Sequence, residues 1–221
     1  ILRDWAAANP RVTALCERLG RPSIRKGRSD ERSHALAEAR SRCHALVGDR
    51  FADFDLALVV DTDLLGYHPD GVAHTLGLPG WDGVGAKGVS FRDGGFICPD
   101  AWAFRRPGEP STDRATLSAV QLFVPPRGTP LVPMDSCFGG TALYRMAAWL
   151  AGQYRGGDCE HVTFHASLRQ AGFGRFFLNP SLLALYPDFV ELYPGWARKP
   201  RHGPWPEPVP IPEAPRTSEA C

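Results

Sequence analysis

The stretch Phe54-Asp55-Leu56-Ala57-Leu58-Val59-Val60-Asp61-Thr62-Asp63-Leu64-Leu65-Gly66 decides how this chain is read. Leu56 to Val60 is apolar without alternation, the pattern of a strand buried on both faces of an α/β sheet. Asp61 and Asp63 follow at its carboxyl end, where open α/β sheets bind their ligands. Side chains alternate along an extended segment, so Asp61 and Asp63 point one way and Thr62 the other. Two converging carboxylates make a hard, oxygen-rich site suited to Mg²⁺ or Mn²⁺ carrying a phosphate. The same residues also read as a solvated turn with acidic caps.

The rest of the 221-residue chain is enough for one domain with a sizeable core, and 43% hydrophobic content fits a folded protein. A formal net charge of +1 gives no case for nucleic-acid binding or a polybasic membrane contact. No apolar run reaches the length of a transmembrane helix, and no signal segment opens the chain. The first residue is Ile1 rather than Met, as expected of a fragment or a processed chain. Cys16, Cys43, Cys98, Cys137, Cys159 and Cys221 show no Cys-x-x-Cys spacing, so reduced thiols are expected. A Cys137–Cys159 bridge stays open if the protein is exported.

Alternating strands and helices predict an α/β domain with a mostly parallel sheet over residues 1–198, followed by a Pro-rich disordered tail over 199–221. The expected order begins with a helix closed by Asn9-Pro10, a strand over Val12-Thr13-Ala14-Leu15 and a basic loop from Arg18 to Ser29. A helix over Asp30 to Leu46 follows, burying Leu36, Ala39, Cys43 and Val47 and exposing Arg32, Arg40 and Arg42. After the Asp61-Thr62-Asp63 strand comes a short helix from Pro69, then a Gly-rich loop over Trp81 to Gly88. Strands are expected at Val89 to Phe91, Val120 to Val124, Leu131 to Met134, Gly139 to Tyr144 and Phe176 to Leu178. Helices are expected over Met146 to Tyr154 and Cys159 to Gln170, and a turn at Asn179-Pro180.

Three further groups carry chemistry. On a helix beginning near Asp158, His161 and His165 share a face, and Glu160 sits in the first turn, where a carboxylate is favoured. A neutral imidazole can complete a metal's coordination, and a nearby carboxylate can act as general base. The plainer reading makes Asp158 the N-cap, Glu160 a partner of the helix dipole and the histidines partly buried polar residues. In Met134-Asp135-Ser136-Cys137-Phe138-Gly139-Gly140-Thr141, the paired glycines fit close backbone approach to a ligand or another strand, and Asp135 can orient an acceptor hydroxyl. Arg32 and Arg40 can reach a diphosphate or nucleobase from the rim of the sheet, or stand solvated on a helix face.

Several segments together resemble the GT-A-type glycosyltransferases of the fungal capsule-associated alpha-mannosyltransferase group (glycosyltransferase family 69) and a related viral glycosyltransferase domain. They are Glu31-Arg32-Ser33 with Leu36-Ala37-Glu38-Ala39-Arg40-Ser41, then Asp61-Thr62-Asp63, then Pro99-Asp100-Ala101-Trp102-Ala103-Phe104-Arg105. Ser136 to Gly140 follows, and last Cys159-Glu160-His161, His165, Gly172 to Arg175, Asn179-Pro180-Ser181 and Tyr186. They stand in the family's order and cover most of residues 30 to 187. Ser41 departs from the family's Asn, and Cys98-Pro99 from its aromatic residues. The GT-A opening strand that cradles the nucleobase has no counterpart in the sequence.

The resemblance implies sugar transfer from a nucleotide-diphosphate donor to a glycan or other hydroxyl acceptor, using divalent Mn²⁺ or Mg²⁺, by a hexosyl- or deoxyhexosyltransferase of polysaccharide biosynthesis. It implies Asp61 at the donor ribose or the metal, Asp63 on the metal, and Arg32 and Arg40 near the nucleotide. Asp100, Trp102 and Asp135 would line the acceptor side. Glu160 occupies the place of the inverting enzymes' base, or holds acceptor or metal in a retaining one. His161 or His165 would complete the metal shell. A cytoplasmic location, in solution or peripheral to a membrane, is expected with it. Two alternatives stand beside this reading. One is a haloacid-dehalogenase-type phosphatase using Asp61 and Asp63, although Leu65 replaces its usual Thr or Val. The other is a non-catalytic carbohydrate-binding remnant of the fold.

Overall fold

A computed structural model describes residues 2–16, 29–92, 95–98, 100–109, 123 and 125–186. The expected tail, the loop over 18–28 and the strand over 120–124 lie outside them, apart from residue 123. The architecture is mixed α/β, a curled sheet flanked by helices. Strand β1 (Leu56–Val60) pairs with β6 (Thr141–Arg145), which pairs with β3 (Gly83–Arg92), then β7 (Phe176–Leu185) and β2 (Gly66–Tyr67). Two short strands flank this path, β4 (Gly95–Ile97) against β3 and β5 (Val132–Pro133) against β7. Among the described residues only β3 and β7 run parallel and every other pairing is antiparallel, which corrects the expected mostly parallel sheet.

β1 falls where the sequence puts it but is not a central strand. It is an edge strand of half-buried residues, with Leu58 38% exposed. Ala57 and Val59 pack into the main core, while Leu56 packs on the other side with Trp81, Val84 and Leu143. The unbroken apolar run thus serves two partly covered faces.

The central strands are β3 and β7, and the sequence reading places only part of each, Val89 to Phe91 and Phe176 to Leu178. Gly83 to Gly88 reads as a loop because it is glycine-rich, yet it is the first half of a ten-residue strand. A Cβ at Gly83 would lie 2.6 Å from the Phe176 ring and 2.8 Å from that of Tyr144, and one at Gly85 would lie 2.6 Å from Cys137 Sγ. The glycines let bulky neighbours lie flat on the strand. In β7 the expected Asn179-Pro180 turn is a bulge: Ala86 faces Asn179, but Lys87 faces Leu183. Pro180 is tolerated there because a bulge residue owes the ladder no N–H. Asn179 secures it, accepting from the Ser181 N–H at 2.8 Å and donating to Thr75 Oγ1 at 2.8 Å.

Five helices complete the described chain. α1 (Leu2–Ala8) ends at Asn9-Pro10 as expected, but residues 12–16 form no strand. α2 (Asp30–Phe51) is capped by Ser29, whose Oγ accepts from the Arg32 N–H, and runs five residues past its expected end. α3 (Pro69–Leu76) begins on Pro69, a residue suited to the first turn. α4 (Met146–Ala151) stops short of Tyr154 because Gly152 leaves room for the Phe164 ring of α5 (Glu160–Gln170). The main core lies between α2, α4, α5 and one face of the sheet, with Tyr144, Trp149, Phe164, Leu168 and Phe176 at its centre. Cys98, Cys137 and Cys159 are buried free thiols, so no Cys137–Cys159 bridge forms.

α3 docks on the β7 bulge with no room to spare. A Cβ on Gly71 would come within 2.5 Å of the Leu182 Cα and the Ser181 carbonyl oxygen. Gly71→Ala is therefore expected to cost about 1–3 kcal/mol by forcing the helix off the strand. Gly77→Ala, whose Cβ meets nothing nearer than 3.5 Å, should change stability little. Urea unfolding of the two variants checks the contrast.

Candidate functional site

α2 approaches the sheet through a face that matches the expected one only in part, with Val47 packed against the main core as expected. Ala39 and Cys43 are exposed, while Ser33, Ala37, Arg40 and His44 turn inward at helical spacing. Each polar member of this face has a partner. Ser33 Oγ accepts from the Gly157 N–H at 3.0 Å, and a ring nitrogen of His44 meets the Trp149 carbonyl at 2.8 Å. Arg40 donates from Nη2 to Asp61 Oδ1 at 2.7 Å and from Nε to Glu160 Oε1 at 2.9 Å. The guanidinium thereby joins the carboxyl end of β1 to the first residue of α5.

The turn Phe138-Gly139-Gly140 is the hinge of the arrangement. The Gly140 carbonyl accepts from the Asp61 N–H at 2.9 Å, and the Gly139 N–H donates to Asp100 Oδ2 at 2.9 Å. Both glycines have positive φ, 61° and 82°, a conformation that costs a side-chain-bearing residue. A Cβ on Gly139 would collide with the Ala86 carbonyl of β3. The close backbone approach expected of these glycines is thus an approach to a strand. The Phe138 ring stacks on His161 at 3.7 Å between centroids, and the Arg40 guanidinium stands 5.1 Å from the same ring.

Three carboxylates, Asp61, Asp100 and Glu160, gather around one guanidinium, with Asp63 exposed beside them. Burial raises the pKa of Asp61, Arg40 opposes the rise, and Asp63 and Glu160 add to it. Asp100 is pushed up to about 7 by enclosure first and by the Asp61 charge next, with the Gly139 N–H acting against both. Part of Asp100 remains open to solvent, so water moderates that enclosure. Burial works against the charge on Arg40, but Asp61 and Glu160 outweigh it and hold the guanidinium charged.

The two histidines part company. His165 is not placed as a metal ligand, because both ring nitrogens are spent on protein: Nδ1 lies 2.8 Å from Ser136 Oγ and Nε2 2.9 Å from the Tyr144 hydroxyl. Ser136 Oγ already donates to the Ala103 carbonyl, so it accepts from His165 Nδ1–H and Tyr144 donates to Nε2. Burial lowers the His165 pKa to about 3, which keeps it a neutral core residue. His161 lies at the site, 3.6 Å from Glu160 Oε1, but neither of its nitrogens has a hydrogen-bond partner. Burial and then Arg40 keep its pKa well below the usual histidine range.

The remaining expected residues lie apart from this cluster. Asp135 Oδ2 accepts from the Gly108 N–H at 3.1 Å, and its carbonyl accepts from Arg169, so it closes a loop. Arg32 stands on α2 about 12 Å along the axis from Arg40. Trp102 packs against the main core, and its carbonyl accepts from Arg105. Asp158 caps no helix; that position belongs to Cys159. It instead takes a two-pronged bond from Arg105 Nη2, 3.0 Å to each oxygen. Arg105 is 4% exposed and also donates to the carbonyls of Trp102 and Phe104. It ties the loop carrying Asp100 to the start of α5. Nothing in the spacing of Arg105 and Asp158 marks this role.

Among the described residues no three His, Cys, Asp or Glu side chains are arranged to hold a metal by themselves. Of the expected set of Asp61, Asp63, His161 and His165, His165 has both ring nitrogens on protein partners and those of His161 have none, while Asp61 and Asp63 stand together at the end of β1. An ion there would rely on substrate oxygens and water, which is how Mg²⁺ is commonly held.

Removing Arg40 would strand a buried Glu160 charge. Arg40→Met is expected to cost about 3 kcal/mol, and adding Glu160→Gln should recover much of it; urea unfolding of both variants tests this. Asp100 supplies a second expectation. Its folded pKa lies above the unfolded value, so its contribution to stability is complete below about pH 4 and is lost as pH rises through about 7. The stability of wild type relative to Asp100→Asn should fall across that interval, as read by urea unfolding at both ends.

Comparison with protein-family models, with curated proteins and with solved structures finds no match for this chain.

Proposed function

We propose that the chain is a glycosyltransferase of GT-A type that takes a nucleotide-diphosphate sugar at the Asp61–Asp63 end of β1. The observation that carries the reading is the convergence of Asp61, Asp100 and Glu160 on one guanidinium at a strand end, with Asp63 open to solvent beside them. Carboxylates that raise one another's pKa attract a cation, and a diphosphate leaving group needs one.

Asp63 and the Asp61 oxygen not bonded to Arg40 would hold a divalent ion, which when bound neutralises charge on the departing diphosphate. Arg40 orients Glu160, because its Nε–H is donated to Oε1 at 2.9 Å. Asp100, whose proton is retained to nearly neutral pH, can either donate to or accept from an acceptor hydroxyl. Part of the residue stays open toward solvent, the side from which an acceptor would come.

The phosphatase alternative needs a lysine beside the aspartates. Buried Lys87 donates instead to the Pro125 carbonyl at 2.7 Å. A non-catalytic role draws support from Arg40 itself, which already answers the charges of Asp61 and Glu160 within the protein.

Incubation with a panel of UDP- and GDP-sugars and Mn²⁺ separates these readings. Donor turnover by wild type, reduced about 100-fold in Asp63→Asn, is the expected outcome. No turnover and no nucleotide binding by wild type would leave the non-catalytic reading, and phosphate release from small phosphomonoesters would favour the phosphatase.

A further inference from the structure

We propose that Lys87 and Arg127 form a binding site for a phosphate group, separate from the acidic strand end. Lys87 is only 7% exposed, and its ammonium donates to one acceptor, the Pro125 carbonyl at 2.7 Å. An ammonium carries three donors, and an ammonium out of water is costly unless paired with negative charge. No carboxylate lies within ion-pair distance of it among the described residues.

Arg127 stands two residues beyond Pro125, on a turn closed by the Thr129 N–H to the Pro126 carbonyl at 3.2 Å. The turn is pinned to the β7 bulge, where the Gly128 N–H donates to Ser181 Oγ at 3.1 Å. The Arg127 Nε is buried with no partner. Its one carboxylate, Asp70, is 3.9 Å from Nη2, is 54% exposed and also stands 3.5 Å from His68. Two cations thus lie within electrostatic reach of one another, and among the described residues no anion answers either closely. Burial lowers the Lys87 pKa, and the neighbouring Arg127 charge lowers it further, as expected where positive potential is uncompensated.

A phosphate supplies what is missing. It carries up to two negative charges and enough oxygens to accept from an ammonium and a guanidinium at once. Arg127 keeps 21% of its side chain exposed, which leaves the pair open to solvent on that side. Neither group touches Arg40, Asp61 or Glu160, so the assignment stands or falls independently of the sugar-transfer reading.

The test is thermal unfolding and calorimetric titration with inorganic phosphate, against sodium chloride at matched ionic strength and against acetate. Wild type should gain melting temperature with phosphate and not with chloride. Lys87→Met and Arg127→Gln should each weaken phosphate binding at least about tenfold, while Asp63→Asn leaves it unchanged. If Lys87→Met does not fold, the partly exposed Arg127→Gln decides alone. Absence of a phosphate effect on wild type, equal binding by Arg127→Gln, or loss of binding in Asp63→Asn would overturn the site. Acetate binding as tightly as phosphate would overturn the phosphate assignment.

Discussion

The bond from one Arg40 guanidinium to both Asp61 and Glu160 is the constraint on which the candidate site depends. Glu160 is 2% exposed, and a carboxylate that deep is tolerated only with a cation and good hydrogen bonds. Arg40 supplies both, at 2.9 Å, and its second arm reaches Asp61 at 2.7 Å. A buried ion pair of this kind is weak evidence for net stability. Its stronger consequence is geometric. It fixes the register between α2, the end of β1 and the first turn of α5, three elements far apart in the chain.

That register is transmitted by backbone groups. The Phe138-Gly139-Gly140 turn holds Asp61 through a carbonyl and Asp100 through an N–H, and its own path against β3 is available only to glycine. Arg105 does similar work from the other side, tying the loop after Asp100 to Asp158 and the strand-like pairing at Ser136. The acidic groups are thus brought together by bonds to one guanidinium and to one glycine turn. Repulsion among them is held in check by a single cation, so the local field stays negative despite a whole-chain charge of +1.

Much of the frame was legible from periodicity. β1, α3, α4 and α5 stand within a few residues of their expected places because their apolar spacing and their Pro and Gly boundaries are strong local signals. The misses share a cause. Sequence reading assigns polar residues outward and glycine or proline to loops, and tertiary contacts reverse both. α2 buries Ser33, Arg40 and His44 because each finds a partner on another element. β3 is glycine-rich because aromatic rings and Cys137 lie against it. β7 carries Pro180 because a bulge asks nothing of its missing N–H. His165 shared a helical face with His161, yet only the fold reveals Ser136 and Tyr144 waiting for its nitrogens.

The same logic explains why near-neutral composition says little about local electrostatics. Lys87 and Gly88 are adjacent on β3 and so point to opposite faces of the strand. Gly88 leaves room for Tyr186, whose pKa is raised by burial first and then by Asp100 and Asp61. Lys87 faces the turn that carries Arg127. Cys98 lies within electrostatic reach of both Lys87 and Asp100. A count of charges sums these regions to almost nothing, whereas the strand keeps them apart by a single residue. The proposed cation site and the proposed phosphate site would thus lie against one small sheet without cancelling each other.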